Sequence, residues 1–257
     1  MSRRLYRPER LETISHELEQ AGYVSVAELS ERLGVSSVTV RGDLDALERA
    51  GTLVRAHGGA VPVRSGEGVL SFSVRQRLHV AAKERIAAAA ARLVSDGDSI
   101  VLDASTTSWH LARQLLGRRD VTVLTTGLYV ALELLHAPGV AVMIPGGRVW
   151  REAASLLGPW NDEILEQGHL HTAFIGGRGL TLEQGLTDAN PDEVALKRKL
   201  ASLVAQVNVL VDGSKLGKVA FAPCLAIDEI QRVVTDDSAP AEIVAALRER
   251  GVEVLVA

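Results

Sequence analysis

The N-terminal part of the chain alternates runs of helical periodicity with residues that begin or end helices. Apolar side chains recur at the three- and four-residue spacing of an amphipathic helix at Leu11, Ile14, Leu18 and Ala21. Gly22 is placed to end this helix, and Ser25-Val26-Ala27-Glu28 has the capping-box pattern that begins another. The second helix is predicted to stop at Gly34, and Ser36 is predicted to cap a third helix that runs to about Ala50.

A hairpin pattern follows the third helix. Two short β-type runs, Leu53–Arg55 and Ala60–Val63, flank His57-Gly58-Gly59. Three short helices followed by a hairpin predict a winged helix-turn-helix, and the short connection between the second and third helices fits that geometry. DNA binding is the function that this pattern favours, and a small three-helix protein-interaction domain is the alternative that it leaves open.

The third helix and the hairpin supply candidate DNA contacts. Small hydroxyl side chains permit close approach to phosphates and base edges, and arginine can donate a bidentate pair to guanine. The candidates are the outward residues at the start of the third helix and two residues of the wing, namely Ser36, Ser37, Val38, Thr39, Arg41, Arg55 and His57. The expected partner is double-stranded operator DNA.

The rest of the chain has a different pattern of apolar and polar residues. A helix is predicted from about Arg75 to Ser95, and short apolar runs then alternate with helical runs. The predicted strands are Ser99–Leu102, Val121–Leu124, Val140–Ile144, Ala173–Ile175, Val207–Val211, Val233–Thr235 and Val252–Val256. This alternation predicts an α/β domain with a mostly parallel sheet and helices on both faces. We therefore expect a DNA-binding domain over 1–61, a linker over 62–74 and a larger ligand-sensing and oligomerisation domain over 75–257.

Polar residues and glycines cluster after several of the predicted strands. In a parallel α/β sheet, ligands bind at the carboxyl ends of the strands, where helix N-termini favour anions. The candidate ligand contacts at this edge are Asp103, Ser105, Thr106, Thr107, Thr126, Gly147, Gly176, Gly177, Arg178 and Lys215. Cations and amides suit a phosphate and carboxylates suit hydroxyl groups, so the set favours a sugar phosphate. For any single loop, the alternative is a turn glycine or a helix cap.

Composition and short motifs argue against several classes of protein and of binding site. The net charge of −4 gives no general sign of nucleic-acid binding, so the DNA argument depends on where the arginines lie. The single cysteine, Cys224, excludes an intramolecular disulfide and is interpreted as a small buried residue. No signal peptide and no membrane-spanning run is visible, which predicts a cytoplasmic protein without membrane contact. Gly176-Gly177-Arg178-Gly179 is not a dinucleotide motif, and histidine spacing does not suggest a metal site, so neither a cofactor nor a metal is expected.

Two motifs of the N-terminal domain carry a resemblance to a known family. Ser36-Ser37-Val38-Thr39-Val40-Arg41-Gly42-Asp43-Leu44 and Leu53-Val54-Arg55-Ala56-His57-Gly58-Gly59-Ala60 resemble the DNA-binding domain of the DeoR family of bacterial sugar-metabolism repressors. Gly42 departs from the family pattern, which has a second arginine there. A glycine inside a helix costs about 0.5–1 kcal/mol relative to alanine, and it removes one potential DNA contact.

The C-terminal part is similar to the sensor domain of the same family, which is related to ribose-5-phosphate isomerase and CoA transferases. The similar stretches are 102–107, 145–147, 174–176, 185–187, 193–197 and 212–215. Ser105, Thr126 and Gly213 stand where the family usually has Gly, Asn and Ser. The resemblance implies a homodimeric or larger repressor whose DNA binding responds to a phosphorylated sugar.

Two other functions remain open on the sequence. One is a sugar-phosphate isomerase or transferase, with Asp103, Asp188 or Asp212 as the base and Lys215 on the phosphate. The other is an architectural DNA-binding protein whose C-terminal domain only oligomerises. The winged helix-turn-helix favours the repressor over the enzyme, because a pure enzyme has no use for it.

Overall fold

A computed structural model describes residues 5–49, 52–56, 58–62, 71–161 and 169–257. The chain divides into two compact units, Met1–Leu78 and His79–Ala257. The predicted contact residue His57 lies outside the described residues.

The first unit has three longer helices, a four-residue helix and a small antiparallel sheet. Its elements are α1 (Arg7–Ala21), β1 (Val24–Ser25), α2 (Val26–Leu33), α3 (Ser37–Arg49), β2 (Leu53–Ala56), β3 (Gly59–Pro62) and α4 (Phe72–Arg75). The hairpin β2–β3 was predicted, and the two-residue strand β1 was not; it pairs with β3 through Val24 and Ser25. The core that holds the helices together consists of Ile14, Leu18, Leu29, Val40, Leu44 and Leu53.

The ends of these helices follow the local sequence. Gly22 and Gly34 take left-handed conformations, with φ of 69° and 63°, at the C-terminal ends of α1 and α2. The Ser25 hydroxyl accepts hydrogen bonds from the Ala27 and Glu28 amides, and Ser36 accepts one from Thr39 at 3.2 Å. These predicted caps are confirmed.

The second unit is built on a parallel sheet. Its strands are β4 (Ser99–Leu102), β5 (Val121–Thr125), β6 (Val140–Met143), β9 (Thr172–Gly176), β12 (Gln206–Leu210), β14 (Arg232–Thr235) and β15 (Glu253–Val256). In spatial order they run β15-β14-β12-β9-β4-β5-β6, and each neighbouring pair is parallel. The predicted α/β class is confirmed. Each predicted strand end either coincides with the observed end or differs from it by one residue.

Helices cover the sheet, and two small antiparallel sheets lie beside it. The helices are α5 (Val80–Ala91), α6 (Thr106–Gln114), α7 (Leu128–Leu134), α8 (Pro191–Ser202) and α9 (Ala241–Glu249). The small sheets consist of β7 (Arg148–Trp150) with β8 (Ser155–Leu157), and of β10 (Gly179–Thr181), β11 (Gly185–Asp188) and β13 (Ala222–Leu225). None of the described helices is long and apolar enough to cross a membrane.

The segment that joins the predicted domains differs from expectation. The single helix predicted from Arg75 to Ser95 is wrong, because α4 ends at Arg75 and α5 begins only at Val80. His79 takes a left-handed conformation, with φ of 51°, and interrupts the helical path. The predicted linker over 62–74 begins in strand β3 and ends within α4, and residues 63–70 lie outside the described part of the chain.

Candidate DNA-binding and ligand-binding sites

The outward surface of α3 presents the predicted DNA contacts. Ser36 precedes the helix, and its hydroxyl lies 2.9 Å from that of Thr39. Val38 is 72% exposed and Arg41 is exposed, whereas the inward residues Val40 and Leu44 are fully buried. An exposed valine in a polar helix face offers an apolar contact of the kind that reads a thymine methyl. The helix therefore has the division of faces that a DNA-reading helix requires.

A buried ion pair fixes the orientation of α3 against α1. Asp43, which is 2% exposed, accepts hydrogen bonds from Arg10 Nε at 2.8 Å and from Arg10 Nη2 at 3.2 Å. This fork geometry holds both side chains in one orientation and gives directional strength to the contact. Asp43 belongs to the motif that carries the family resemblance. Its hydrogen bonds to Arg10 join α3 to α1 inside the domain.

Arg55 ties the wing to α3. Its Nη1 donates to the carbonyl oxygen of Arg41 at 3.1 Å and to Asp45 Oδ1 at 2.5 Å, and its amide donates to Glu48 at 3.0 Å. Its side chain is 27% exposed. The contact with DNA predicted for Arg55 stays a prediction, and the structure adds a second role, in which this guanidinium fixes the position of α3 relative to the wing.

Gly42 lies inside α3 with free space around it. A Cβ built on this residue would meet no heavy atom within 4 Å beyond its own helix and chain neighbours. Close packing therefore does not require a glycine here. The glycine lowers the stability of the helix, and no close approach of another segment explains its presence.

Asp103 lies at the carboxyl edge of the second unit's parallel sheet, directly after β4. Oδ1 accepts hydrogen bonds from the Ser105 amide at 3.1 Å and from the Ser108 hydroxyl at 2.6 Å. Oδ2 accepts from the Gly176 amide at 2.9 Å and lies 3.5 Å from Lys197 Nζ. Both carboxylate oxygens are thus held by partners of the protein, and Asp103 joins the ends of β4 and β9.

Lys197 is the buried cation of this site. From α8, its ammonium donates to the carbonyl oxygen of Gly176 at 2.8 Å and to Asp188 Oδ2 at 2.5 Å. Burial by itself would lower the pKa of Lys197, but Asp188, then Asp103 and Glu193, raise it above its usual value. Burial likewise opposes the ionised form of Asp188, but Lys197 and then Arg178 hold the pKa of that carboxyl below its usual value. The network is therefore charged at neutral pH.

The loop 103–107 leads into α6. The Ser105 hydroxyl accepts from the Ser108 amide at 3.1 Å and caps the helix, while Thr106 and Thr107 are buried in its first turn. The amides of a first helical turn have no partner inside the helix, so this turn can bind an anion. A Cβ on Gly176 would lie 2.6 Å from the Ser105 Cβ, so the ends of β4 and β9 approach too closely for a larger residue.

Gly177 and Arg178 directly follow β9, the strand next to β4 in the sheet. A Cβ on Gly177 would overlap the Leu186 side chain, which explains the glycine. Arg178 Nε lies 3.7 Å from Asp188 Oδ1, so the guanidinium is already paired with the network around Lys197. The structure thus brings together Asp103, Ser105, Gly176, Gly177 and Arg178.

Thr126 and Gly147 are joined by the hairpin of β7 and β8. The Leu156 amide donates to the carbonyl oxygen of Thr126 at 2.8 Å, and Gly127 forms an isolated bridge with Ser155. A Cβ on Gly147 would overlap the carbonyl oxygen of Leu157. The hairpin therefore holds the loops after β5 and β6 beside each other.

Lys215 lies apart from the helix N-terminus of α6. It ends a short 3₁₀ turn, Gly213–Lys215, after β12, and β9 separates β12 from β4 in the sheet. Asp212 caps that turn by accepting from the Ser214 amide and hydroxyl, and Gly213 donates to Asp236 at 2.7 Å.

Sequence reasoning missed Lys197 as a residue of the charged network, and it considered Asp188 only as a catalytic base. A signal existed for Lys197, which follows Glu193 at the four-residue spacing of a helical pair. The burial of Ser155 depends on the hairpin of β7 and β8, which its local sequence does not mark. Cys224 is buried as expected, and burial raises the pKa of its thiol to about 12.

Comparison with known proteins identifies both units. Residues 10–65 match the DeoR-like helix-turn-helix domain, and residues 78–237 match the DeoR C terminal sensor domain. The chain is 37% identical over 249 residues to the HTH-type transcriptional regulator GolR of Listeria innocua, covering 97% of this chain and 98% of that protein. It is 33% identical over 252 residues to the HTH-type transcriptional repressor GlcR of Bacillus subtilis, covering 98% and 97%.

Among solved structures, the chain is similar to ribose 5-phosphate isomerase A from Methanocaldococcus jannaschii, at 20% identity over 52% of this chain and 53% of that one, with a TM-score of 0.40. The two domain matches follow each other along the chain, and the similarity to transcriptional regulators extends over nearly its whole length. The chain therefore belongs to the DeoR family of helix-turn-helix transcriptional regulators.

Proposed function

We propose that this chain represses a carbohydrate-metabolism operon and releases its operator when a phosphorylated sugar binds the second unit. One observation carries the proposal: α3 is capped by Ser36, anchored by Asp43 and Arg55, and presents Val38 and Arg41 outward. Such a helix is fixed on its inner side and free on its outer side, as base reading requires. The DNA contacts in this proposal are the predicted ones, including His57.

The ligand in this proposal binds at the carboxyl edge of the parallel sheet. The first turn of α6, with Thr106 and Thr107, offers amides for a phosphate group. Thr126, Gly147, Gly177 and the more distant Lys215 complete the set of proposed contacts. Asp103, Ser105, Gly176 and Arg178 act chiefly by holding the loops, since each already has partners in the protein.

The enzyme alternative is weakened by the same network. A general base must be free to take a proton near the working pH. Both oxygens of Asp103 accept protein hydrogen bonds, and Asp188 is paired with Lys197 and has a lowered pKa. The proposal therefore assigns no catalysis to this chain, and sugar-phosphate turnover that is lost in Asp188→Asn or in Asp212→Asn would contradict it.

Operator binding by a helix-turn-helix gains affinity from two linked half-site readers, so the proposal includes a homodimer or a larger homo-oligomer acting on DNA in the cytoplasm. Light scattering after size exclusion tests this part. A monomer both alone and on DNA would refute it.

Fluorescence anisotropy with DNA from the chain's own upstream region, at fixed salt, tests the proposal while phosphorylated sugars are titrated. We expect specific binding that one sugar phosphate releases. Arg41→Ala is expected to weaken specific binding by about 1–3 kcal/mol if Arg41 reads a base. Arg92→Ala, which removes an exposed arginine of the second unit, is the control. Specific binding that none of the sugar phosphates releases would favour the architectural function instead.

A further inference from the structure

Helix α7 is apolar on its outer side as well as on its inner side. Val130 and Leu134 are fully buried and pack into the apolar cluster beneath the helix. On the outer side, Leu132 is 55% exposed, and Leu135, which ends the helix, is 72% exposed. A surface helix ordinarily carries polar side chains on its outer face, and a helix that is hydrophobic all round is normally buried. The outer side of α7 therefore has the composition of a contact surface.

The exposed leucines lie on the side of α7 that faces away from α6. Glu133 accepts a hydrogen bond from Trp109 Nε1 of α6 at 3.0 Å, so its side of α7 faces α6. Leu135 comes two residues later, which places it about 200° further round the helix. Leu132 and Leu128 precede Leu135 by three and seven residues and share its face. We call these three residues the leucine face.

The leucine face borders the open edge of the parallel sheet. Helix α7 contacts β5 and β6, whereas α6 contacts β9, so the side of α7 away from α6 lies toward β6. Strand β6 is the last strand in the sheet order, and none of the described strands pairs with its outer edge.

The edge strand β6 carries no charge. It reads Val-Ala-Val-Met and is followed by Ile144, which is 41% exposed. The edge strand on the other side of the sheet, β15, begins with the charged residue Glu253. Proteins usually protect a free edge with charged side chains, because its unpaired backbone groups bind other strands. The uncharged edge at β6 therefore indicates a surface that another chain covers.

A second copy of this chain fits the helix and the strand together. A two-fold axis perpendicular to the sheet sets two β6 strands antiparallel and keeps both α7 helices on one face of the joined sheet. Because α7 lies over β5 and β6, the two helices are then about two strand spacings, or roughly 10 Å, apart. Packed helices lie about 8–10 Å apart, so the two leucine faces meet.

Charge and area also favour a second copy. Glu133 is the single charged residue among positions 128–144, and its hydrogen bond turns it toward α6. Two copies therefore bring no like charges together at this surface. A stable interface buries about 800 Å² on each partner, which is more than three leucines provide, so the helix and the strand must both take part.

We propose that the leucine face of α7 and the outer edge of β6 form a two-fold interface with a second copy of this chain. This proposal rests on the homo-oligomer of the proposed function and names the surface through which it forms. The resulting dimer carries two DNA-reading helices, as an operator with two half-sites requires.

Sedimentation velocity of the full chain, over a range of protein concentrations with and without DNA, tests the interface. One variant combines Leu132→Lys with Leu135→Lys, and a second combines Leu132→Glu with Leu135→Glu. The matched control combines Val219→Lys with Phe221→Lys, which adds the same charge at two residues that are 61% and 81% exposed. Circular dichroism checks that each variant is folded.

We expect wild type to sediment as a dimer or a larger oligomer and the control to behave as wild type does. Each α7 variant should have half the wild-type mass, with a dissociation constant raised about a hundredfold or more, because like charges face each other across the axis. The lysine and glutamate variants should re-form the oligomer when they are mixed in equal amounts, since opposite charges then meet. This recovery also shows that both variants are folded.

Three results would overturn the interface while the homo-oligomer of the proposed function stands. They are a wild-type mass in both α7 variants, a mixture that stays dissociated, and a control that dissociates as the α7 variants do. A wild type that is monomeric at every concentration, alone and on DNA, would overturn both the interface and the homo-oligomer, and would leave this surface to a different partner.

Discussion

Replacement of Lys197 by methionine tests whether the charged network stabilises the second unit. Methionine keeps a long unbranched side chain but removes the ammonium that contacts Gly176, Asp188 and Asp103 at 2.8, 2.5 and 3.5 Å. Two buried carboxylates then lose their common cation. Removing one partner of a buried ion pair costs about 3–5 kcal/mol, since an uncompensated charge remains. For a unit of this size, the loss corresponds to a fall in Tm of about 6–20 °C.

The assay is thermal unfolding of wild type and variants at neutral pH, followed by circular dichroism. Lys218→Met is the matched control, because Lys218 is exposed and loses the same charge. Adding Asp188→Asn to Lys197→Met should recover part of the loss, because it removes one of the unpaired carboxylates. A fall in Tm no larger than that of Lys218→Met would refute the reasoning.

The same network sets the response to acid. Despite burial, Lys197 and Arg178 hold the pKa of Asp188 below its usual value, so its stabilising contribution is present above the unfolded pKa of about 3.9. That contribution is lost as the pH falls further, through the folded pKa. In Lys197→Met, burial without the cation raises the pKa of Asp188, so acid protonates this carboxyl and restores part of the variant's stability before wild type loses its own. The difference in unfolding free energy between wild type and Lys197→Met should therefore be largest near neutral pH and narrow as the pH falls toward 4 and below. A difference that widens in acid would contradict the assignment.

Three further predictions concern single residues. Gly42→Ala should stabilise the first unit by about 0.5–1 kcal/mol, because its Cβ meets open space; an unchanged or lower unfolding free energy would argue against a helical backbone there. Arg55→Ala should weaken operator binding by about 1 kcal/mol without changing the salt dependence, whereas a slope reduced by about one would reveal a direct phosphate contact. Burial, with Lys83 and Arg113, lowers the pKa of His110 to about 4, so the unfolding free energy should fall as the pH is lowered from about 6.5 to 4. Urea unfolding of His110→Gln should lack this loss, and the same loss in the variant would assign it to another group.

The fold could be predicted where local chemistry decides it. The ends of α1 and α2 depend on Gly22, Ser25 and Gly34, which act through contacts a few residues away. Strand β9 was predicted as Ala173–Ile175 because buried parallel strands are short apolar runs, and the structure extends it by one residue at each end. The break at His79 could not be predicted, because only the structure shows the left-handed conformation that this residue adopts between α4 and α5.

The candidate site was only partly predictable for a related reason. The loop 103–107 stands out in the sequence because its polar residues follow an apolar strand. The spacing of Glu193 and Lys197 marks a helical pair on α8, but the contact of Lys197 with Asp103 joins residues far apart in the chain and could not be predicted. The burial of Ser155 could not be predicted either, since only the hairpin of β7 and β8 places it opposite Gly127.

Two residues that depart from the family pattern, Ser105 and Gly213, each lie close to another segment at the carboxyl edge. Ser105 follows β4 and fills the space beside Gly176, where a Cβ would lie 2.6 Å from its own Cβ. Gly213 follows β12, and a Cβ there would lie 2.5 Å from the Ser238 hydroxyl, so the family's serine requires a different path for residues 238–239. Ser105 thus borders the loop at Gly176, whereas Gly213 borders residues 238–239, which follow β14. The two departures therefore act at separate places along the carboxyl edge, and of the two only Ser105 changes the space beside Gly176.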